Sequence, residues 1–232
     1  MPAVTQMQMK ELDRIAIEET GPNLYQMMEN AGRNCALAAL DMRGKQWTHA
    51  TIVVLAGSGG NGGGGICAAR HLANRSQKIN VHLCLSSPKK LGDIPAYQRK
   101  IFGSTHGKEC EMDQLAKIKP DLIIDALVGY SIHGAPTGKT SELIQWANER
   151  DTPILSLDIP SGVDSTTGET PGQFINATRT VTLALPKTGL LSETTGHLWL
   201  ADIGIPETVF QKLNLEYISP FEHCFLIPLQ HN

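Results

Sequence analysis

The stretch Ala50-Thr-Ile-Val-Val-Leu-Ala56-Gly-Ser-Gly-Gly-Asn61-Gly-Gly-Gly-Gly65 decides the fold. An apolar, β-branched run of strand length ends abruptly in a segment, Ala56–Gly65, in which seven of ten residues are glycine. Residues with helical spacing (Ile66, Ala69, Leu72) follow at once. Strand, glycine loop and helix in that order open a βαβ unit. Each glycine is entropically costly to order, so such a run implies backbone brought very close to something. Gly57, Gly59 and Gly62 satisfy G-x-G-x-x-G, and a helix N-terminus behind such a loop is suited to phosphate. Two standard readings of that pattern fail. The next strand ends His82-Leu-Cys-Leu-Ser-Ser87 without the acid that a dinucleotide dehydrogenase uses on its ribose. No lysine closes the loop, as a P-loop requires.

Working outward, further strand-length apolar runs occur at Ile79–Leu85, Leu122–Ala126, Ile154–Leu157, Thr180–Leu185 and, more weakly, Leu198–Ala201. Helical stretches separate them, and residues 5–19 and 24–40 form two further helices broken at Gly21-Pro22. The pattern predicts an α/β fold with a mostly parallel sheet covered by helices on both faces. The chain of 232 residues is read as one domain: N-terminal helices at about 5–40, a core at about 48–210, and a tail at 211–232 too apolar to be free.

Composition narrows the function. A net charge of -3 excludes the broadly cationic surface that grips nucleic acid or anionic lipid. No apolar run approaches the 18 residues of a membrane span, and the acid-bearing first 20 residues fit neither a signal nor a transit peptide. Five scattered cysteines without a CxxC pair imply reduced thiols in a cytoplasmic setting and no zinc site.

Ligands bind such sheets at the carboxyl ends of strands, where two more loops stand out. Asp125 closes the strand in Ile123-Ile-Asp125-Ala-Leu-Val-Gly129 and is either a loop organiser or a group aimed into a site. Asp158, in Leu157-Asp158-Ile-Pro-Ser161-Gly-Val-Asp164, leaves an apolar strand and is partly desolvated. Burial raises a carboxyl pKa toward the range useful for proton transfer unless a cation or hydrogen bonds restrain it. Asp158 is accordingly an acid/base or an organiser of backbone N–H groups. Gly134-Ala-Pro-Thr-Gly138-Lys-Thr140 imitates a Walker A motif, but the spacing is short by one residue and no strand runs into it. Lys187, just after a late strand, is a candidate for neutralising phosphate, and His71 reads as a satisfied helix histidine.

Taken together, Asn61-Gly-Gly, Asp125-Ala-Leu-Val-Gly129 and Leu157-Asp-Ile-Pro-Ser-Gly-Val-Asp164 resemble the YjeF N-terminal family, the NAD(P)H-hydrate epimerases. Met27-Met-Glu-Asn-Ala-Gly32, Ala68-Ala-Arg-His-Leu72, Leu185-Pro-Lys-Thr-Gly-Leu190 and Ala201-Asp-Ile-Gly-Ile-Pro206 extend the likeness over roughly residues 5–210. The resemblance implies a three-layer αβα, Rossmann-like domain, usually a homodimer. It would interconvert the R and S forms of hydrated NADH and NADPH (NADHX and NADPHX), with a separate dehydratase as pathway partner. It places substrate contacts on Gly60, Asn61, Gly62, Gly63 and Gly64, on Gly129, Tyr130, Ser131, Ile132, His133, Gly134 and Ala135, and on Asp158, which would be the catalytic group. It places K+ ligands on Asn61, Asp125 and Ser161. The family's glycine loop usually reads Asn-Asn-Gly-Gly-Asp-Gly; here glycine stands at 60 and 64. Either backbone N–H groups hold the substrate, or the chain is an impaired ligand-binding or dimerisation module. Related domains in messenger RNA decapping factors and in an apolipoprotein-binding protein leave the second reading open.

Overall fold

The structure is a computed structural model and describes residues 1–131 and 134–229. Its strands are β1 Thr51–Ala56, β2 Asn80–Leu85, β3 Lys108–Glu109, β4 Leu122–Ala126, β5 Ile154–Leu157, β6 Arg179–Leu183, β7 His197–Ala201 and β8 Leu226–Pro228. They form one eight-stranded sheet ordered β3-β2-β1-β4-β5-β6-β7-β8. All pairings are parallel except β7–β8. The expected mostly parallel α/β architecture is what the chain adopts.

Alternate residues of β1 divide between two apolar layers. Ile52, Val54 and Ala56 pack with α2 (Leu24–Arg43) and α3 (Gly60–Ala73). Val53 and Leu55 pack on the other face with Leu143, Ile144 and Ala147 of α6 (Gly138–Asn148). Burial on both faces is why these strands read as unbroken apolar runs. The remaining α-helices are α1 (Gln6–Ile15), α4 (Asp93–Phe102), α5 (Met112–Leu115), α7 (Ser192–Thr195) and α8 (Glu207–Lys212), with a π-helical turn at Ala16–Thr20 and a 3-10 segment at Gly44–His49.

Local signals set the helix ends. Thr5 with Gln8, and Asn23 with Gln26, form reciprocal capping boxes at the starts of α1 and α2. The chain passes Gly21-Pro22 between them, where the expected break lies. Met9, Leu12 and Ile15 bury one face of α1. Residues 2–5 are also held: the Val4 N–H donates to the Pro186 carbonyl at 2.9 Å and the Thr188 N–H to the Val4 carbonyl at 3.0 Å. This short parallel bridge, outside the main sheet, sets α1 beside the carboxyl end of β6.

Two details depart from expectation. The glycine run is a loop only from Gly57 to Gly59, because α3 already begins at Gly60. The late strand stops at Leu183, where Ala184 takes a left-handed φ of 61° and turns the chain. The tail does pack: Phe221 is buried and β8 pairs with β7, although Phe225 is 61% exposed.

Candidate active site

From β1 the chain goes to β2 on one side of the sheet, and later strands are added on the other side, beginning with β4. The order reverses between β1 and β4, and a crevice opens beyond their carboxyl ends. It is a cavity of about 600 Å³ walled by the glycine turn, the β4 and β5 loops, α1 and α2.

The β1 end of this wall is very tightly built. A Cβ on Gly57 would lie 1.9 Å from the Leu127 carbonyl oxygen, and one on Gly62 would lie 1.9 Å from that of Gly57. The Gly57 N–H donates to the Ala126 carbonyl at 3.0 Å, so the turn is pinned to β4. No side chain among the described residues caps α3. Its leading N–H groups, which helix geometry leaves without intrahelical partners, give the cavity wall an end suited to an anion. Gly60, Asn61, Gly62 and Gly64 line the cavity, whereas Gly63 is buried behind it against Ile94.

Asp125 is fully buried at the end of β4, and Ser156 faces it across the β4–β5 ladder. Its carboxylate accepts from Ser161 Oγ at 2.6 Å and N at 2.9 Å, from Ser156 Oγ at 2.8 Å, and from the Leu127 N–H at 3.2 Å. Burial pushes this carboxyl above the ordinary range, while the four hydrogen bonds pull the other way. Asn61 contrasts with this saturation. Both polar atoms of its side chain are buried and hydrogen-bond to nothing among the described residues. A native structure rarely leaves such a group without a partner, be it protein, water or a bound ion.

Asp158 follows β5 directly, is 3% exposed and holds a φ of 69°. That left-handed conformation is costly for a residue with a side chain. It aims the carboxylate at the cavity, where Oδ2 accepts from the Tyr130 N–H at 3.2 Å. Oδ1 is ion-paired with Lys187 Nζ at 2.5 Å. Lys187 is itself fully buried and also donates to the Leu183 carbonyl at 2.9 Å and Thr182 Oγ1 at 3.3 Å. The expectation that it neutralises phosphate is thus corrected: its charge is spent on Asp158.

A second carboxylate reaches the cavity from α1. Asp13 accepts from the Tyr130 hydroxyl at 2.5 Å, and burial pushes its pKa up to about 6 against the pull of Tyr130 and Lys187. Gln6 Nε2 donates to the Tyr130 carbonyl at 2.8 Å, so α1 and the loop after β4 hold each other. The sequence reading missed Asp13. Nothing in the acid-rich helix marks it, since only the docking of α1 separates it from the exposed Glu11 pair with Arg14.

Gly129, Tyr130 and Ser131 line the cavity, with Gly129 fitted against Asn61 and Asp158. Gly134 and Ala135 are exposed and do not line it. Ile132 and His133 lie outside the described residues. Lys139 of the Walker-like stretch pairs with Glu111 at 2.9 Å. His71 bonds Glu29 at 2.8 Å, and Arg70 bonds the other oxygen of the same carboxylate at 2.5 Å. Cys67 completes this cluster, with Arg70 only 3.3 Å from its sulfur. The guanidinium supplies the positive charge of this cluster, and the group ties α2 to α3.

Comparison with known proteins agrees with this layout. The family profile described as YjeF-related protein N-terminus matches residues 24–189. An NAD(P)H-hydrate epimerase from Dehalogenimonas lykanthroporepellens is 46% identical over 95% of this chain and 90% of its own. A bifunctional NAD(P)H-hydrate repair enzyme from Salinibacter ruber is 34% identical over 91% of this chain but only 42% of its own length. In fold, the crystal structure of the yeast protein YNL200c superposes with a TM-score of 0.85 at 23% identity, covering 99% of this chain and all of that one. The chain belongs to the YjeF-related N-terminal family.

Proposed function

We propose that this protein interconverts the R and S epimers of NADHX and NADPHX, the hydrated forms of the reduced nicotinamide cofactors, and so serves their repair. Its 46% identity to a named NAD(P)H-hydrate epimerase over nearly the whole chain supports the assignment. The observation that carries the chemistry is a buried, strained, ion-paired Asp158 on the same cavity as an uncapped glycine helix end.

Epimerisation at C6 of the hydrated ring needs the hydroxyl to be lost and regained, or the ring to open and close. Both routes move protons, and Asp158 is the acid/base placed to move them. The helix end at Gly60–Gly62 takes the pyrophosphate. A hard monovalent cation such as K+ suits the all-oxygen set of Asn61, Asp125 and Ser161, by extension from the preferences of hard divalent ions. The unpaired amide of Asn61 fits that reading. When bound, the ion would supply positive charge for the substrate's anionic groups. A homodimer, a separate dehydratase partner and a cytoplasmic setting complete the proposal. No helix among the described residues is long and apolar enough to cross a membrane.

The test starts from equilibrated hydrate epimers. An S-specific dehydratase first exhausts the S form, then this protein and K+ are added and NADH absorbance is followed. Renewed recovery above the spontaneous rate, reduced at least about 100-fold in Asp158→Asn, is the expected result. No acceleration by the folded protein on either hydrate would leave a binding module instead. The same assay reads the altered glycine run. A Cβ at Gly60 would meet nothing within 4 Å, so Gly60→Asn fits and adds one hydrogen-bonding group at the cavity. One such bond contributes about 0.5–1.5 kcal/mol; KM should fall by about twofold to tenfold with Tm unchanged. An unaltered KM would show that backbone groups already satisfy the substrate there.

A further inference from the structure

Epimerisation poses a geometric demand that one carboxylate meets poorly. The hydroxyl leaves one face of C6 and returns to the other, so a proton is needed on one side and must be accepted on the opposite side. The cavity offers a second group for this, carried on a different element. Asp158 enters from the end of β5, and Asp13 enters from α1. We infer that Asp13 is a second proton-transfer group of the reaction, working opposite Asp158 with Tyr130 holding its carboxyl in place. The inference rests on the epimerase reading above.

In one direction protonated Asp13 gives its proton to the leaving hydroxyl. The C6–O bond breaks with its electron pair on oxygen, water departs, and the N1 lone pair forms the N1=C6 bond. A water then attacks C6 from the other face, the π pair returns to N1, and the Asp158 carboxylate takes the proton released. The reverse direction exchanges the two roles. Net transfer is one proton from Asp13 to Asp158, which water carries back.

The surroundings prepare Asp13 for this. The charged and titratable groups facing it are Tyr130, Lys187 and Asp158. Burial, the largest influence, favours the protonated form, Asp158 adds to it, and Tyr130 and Lys187 oppose it. Its pKa of about 6 keeps a usable protonated fraction near neutrality. Two carboxyls in one site with different surroundings is how acid and base roles are separated. The Tyr130 hydroxyl donates to Asp13 Oδ2, so the proton to be transferred resides on the other oxygen.

The experiment is the pH dependence of kcat/KM in the dehydratase-coupled assay for wild type, Asp13→Asn and Tyr130→Phe, with Tm measured for each. Wild-type activity should fall as pH rises past about 6. Asp13→Asn should lower turnover about 100-fold and erase that limb, yet raise Tm at neutral pH by removing a buried charge. Tyr130→Phe removes a bond that lowers the Asp13 pKa, so its limb should move to higher pH. A merely structural Asp13 would predict the opposite Tm change. An Asp13→Asn enzyme with wild-type turnover and an unchanged profile overturns this inference and leaves the epimerase reading standing. A wild type inactive on both hydrates takes down both.

Discussion

Lys187→Met should lose about 3–5 kcal/mol of stability and most epimerase activity, although methionine nearly matches lysine in volume. The ammonium is fully buried and is the counter-charge of a carboxylate that is itself 4% exposed. Removing one partner of a buried pair leaves the other charge desolvated and uncompensated, which accounts for the size of the loss. Among the described residues, Asp158 would keep only the Tyr130 N–H as a donor to its carboxylate. The denaturant midpoint of the single variant, compared with that of Lys187→Met combined with Asp158→Asn, separates charge from packing. A neutral amide needs no counter-ion, so the double variant should recover much of the loss. If Lys187→Met unfolds at the wild-type midpoint, the pair is not the electrostatic unit described.

Gly62→Ala should be the most damaging methyl group that can be added to the cavity wall. Its Cβ would lie 1.9 Å from the Gly57 carbonyl oxygen, 2.5 Å from the carbon and 2.8 Å from the nitrogen. These are backbone atoms that cannot swing aside, and Gly57 is itself wedged against Leu127. Overpacking of this kind costs about 3 kcal/mol, or about 6–12 °C in Tm for a chain of this size. The displaced turn would carry the helix N–H groups away from the phosphates they are proposed to hold. Gly60→Asn, two residues earlier, is the control and should melt with the wild type. Equal melting of the two variants would refute the close contact.

The acid on α1 carries an energetic counterpart. A carboxyl at 3.8 in the unfolded chain and at about 6 in the folded one makes the folded state bind more protons between those values. Its contribution favours folding most below pH 4 and is lost as pH rises through about 6. At about 1.36 kcal/mol per unit, the cost at neutrality is about 3 kcal/mol. The higher Tm expected of Asp13→Asn is this cost removed. A residue that weakens the fold in order to hold a proton is a common signature of a functional site.

Much of this was legible in the chain because the central strands are buried on both faces. β4 and β5 begin and end where their apolar runs do, and β1 differs by one residue. The edge strands escaped notice for the converse reason: β3 is the exposed pair Lys108–Glu109, and β8 is a three-residue addition near the end of the tail. Glycine propensity argued for a loop at residues 60–65, and tertiary contact overruled it. Gly62 and Gly65 are glycine within the helix because Gly57 and Ala126 sit where their side chains would be. Asp158 was visible as an acid leaving a strand, but its partner Lys187 lies 29 positions away. No local pattern links the two, nor Asp13 to Tyr130.

The bridge between Val4 and the Pro186–Thr188 backbone gives the site an order of assembly. Ribosomes release the first residues long before the sixth strand. Helix α1, first to be made, therefore gains this anchor only after four-fifths of the chain has emerged. Until then Asp158 lacks its Lys187 counter-charge and the wall that carries Asp13 lacks its anchor beyond β6. Catalysis consequently reports completed folding: a nascent or partly unravelled chain can retain most of the sheet and still be silent.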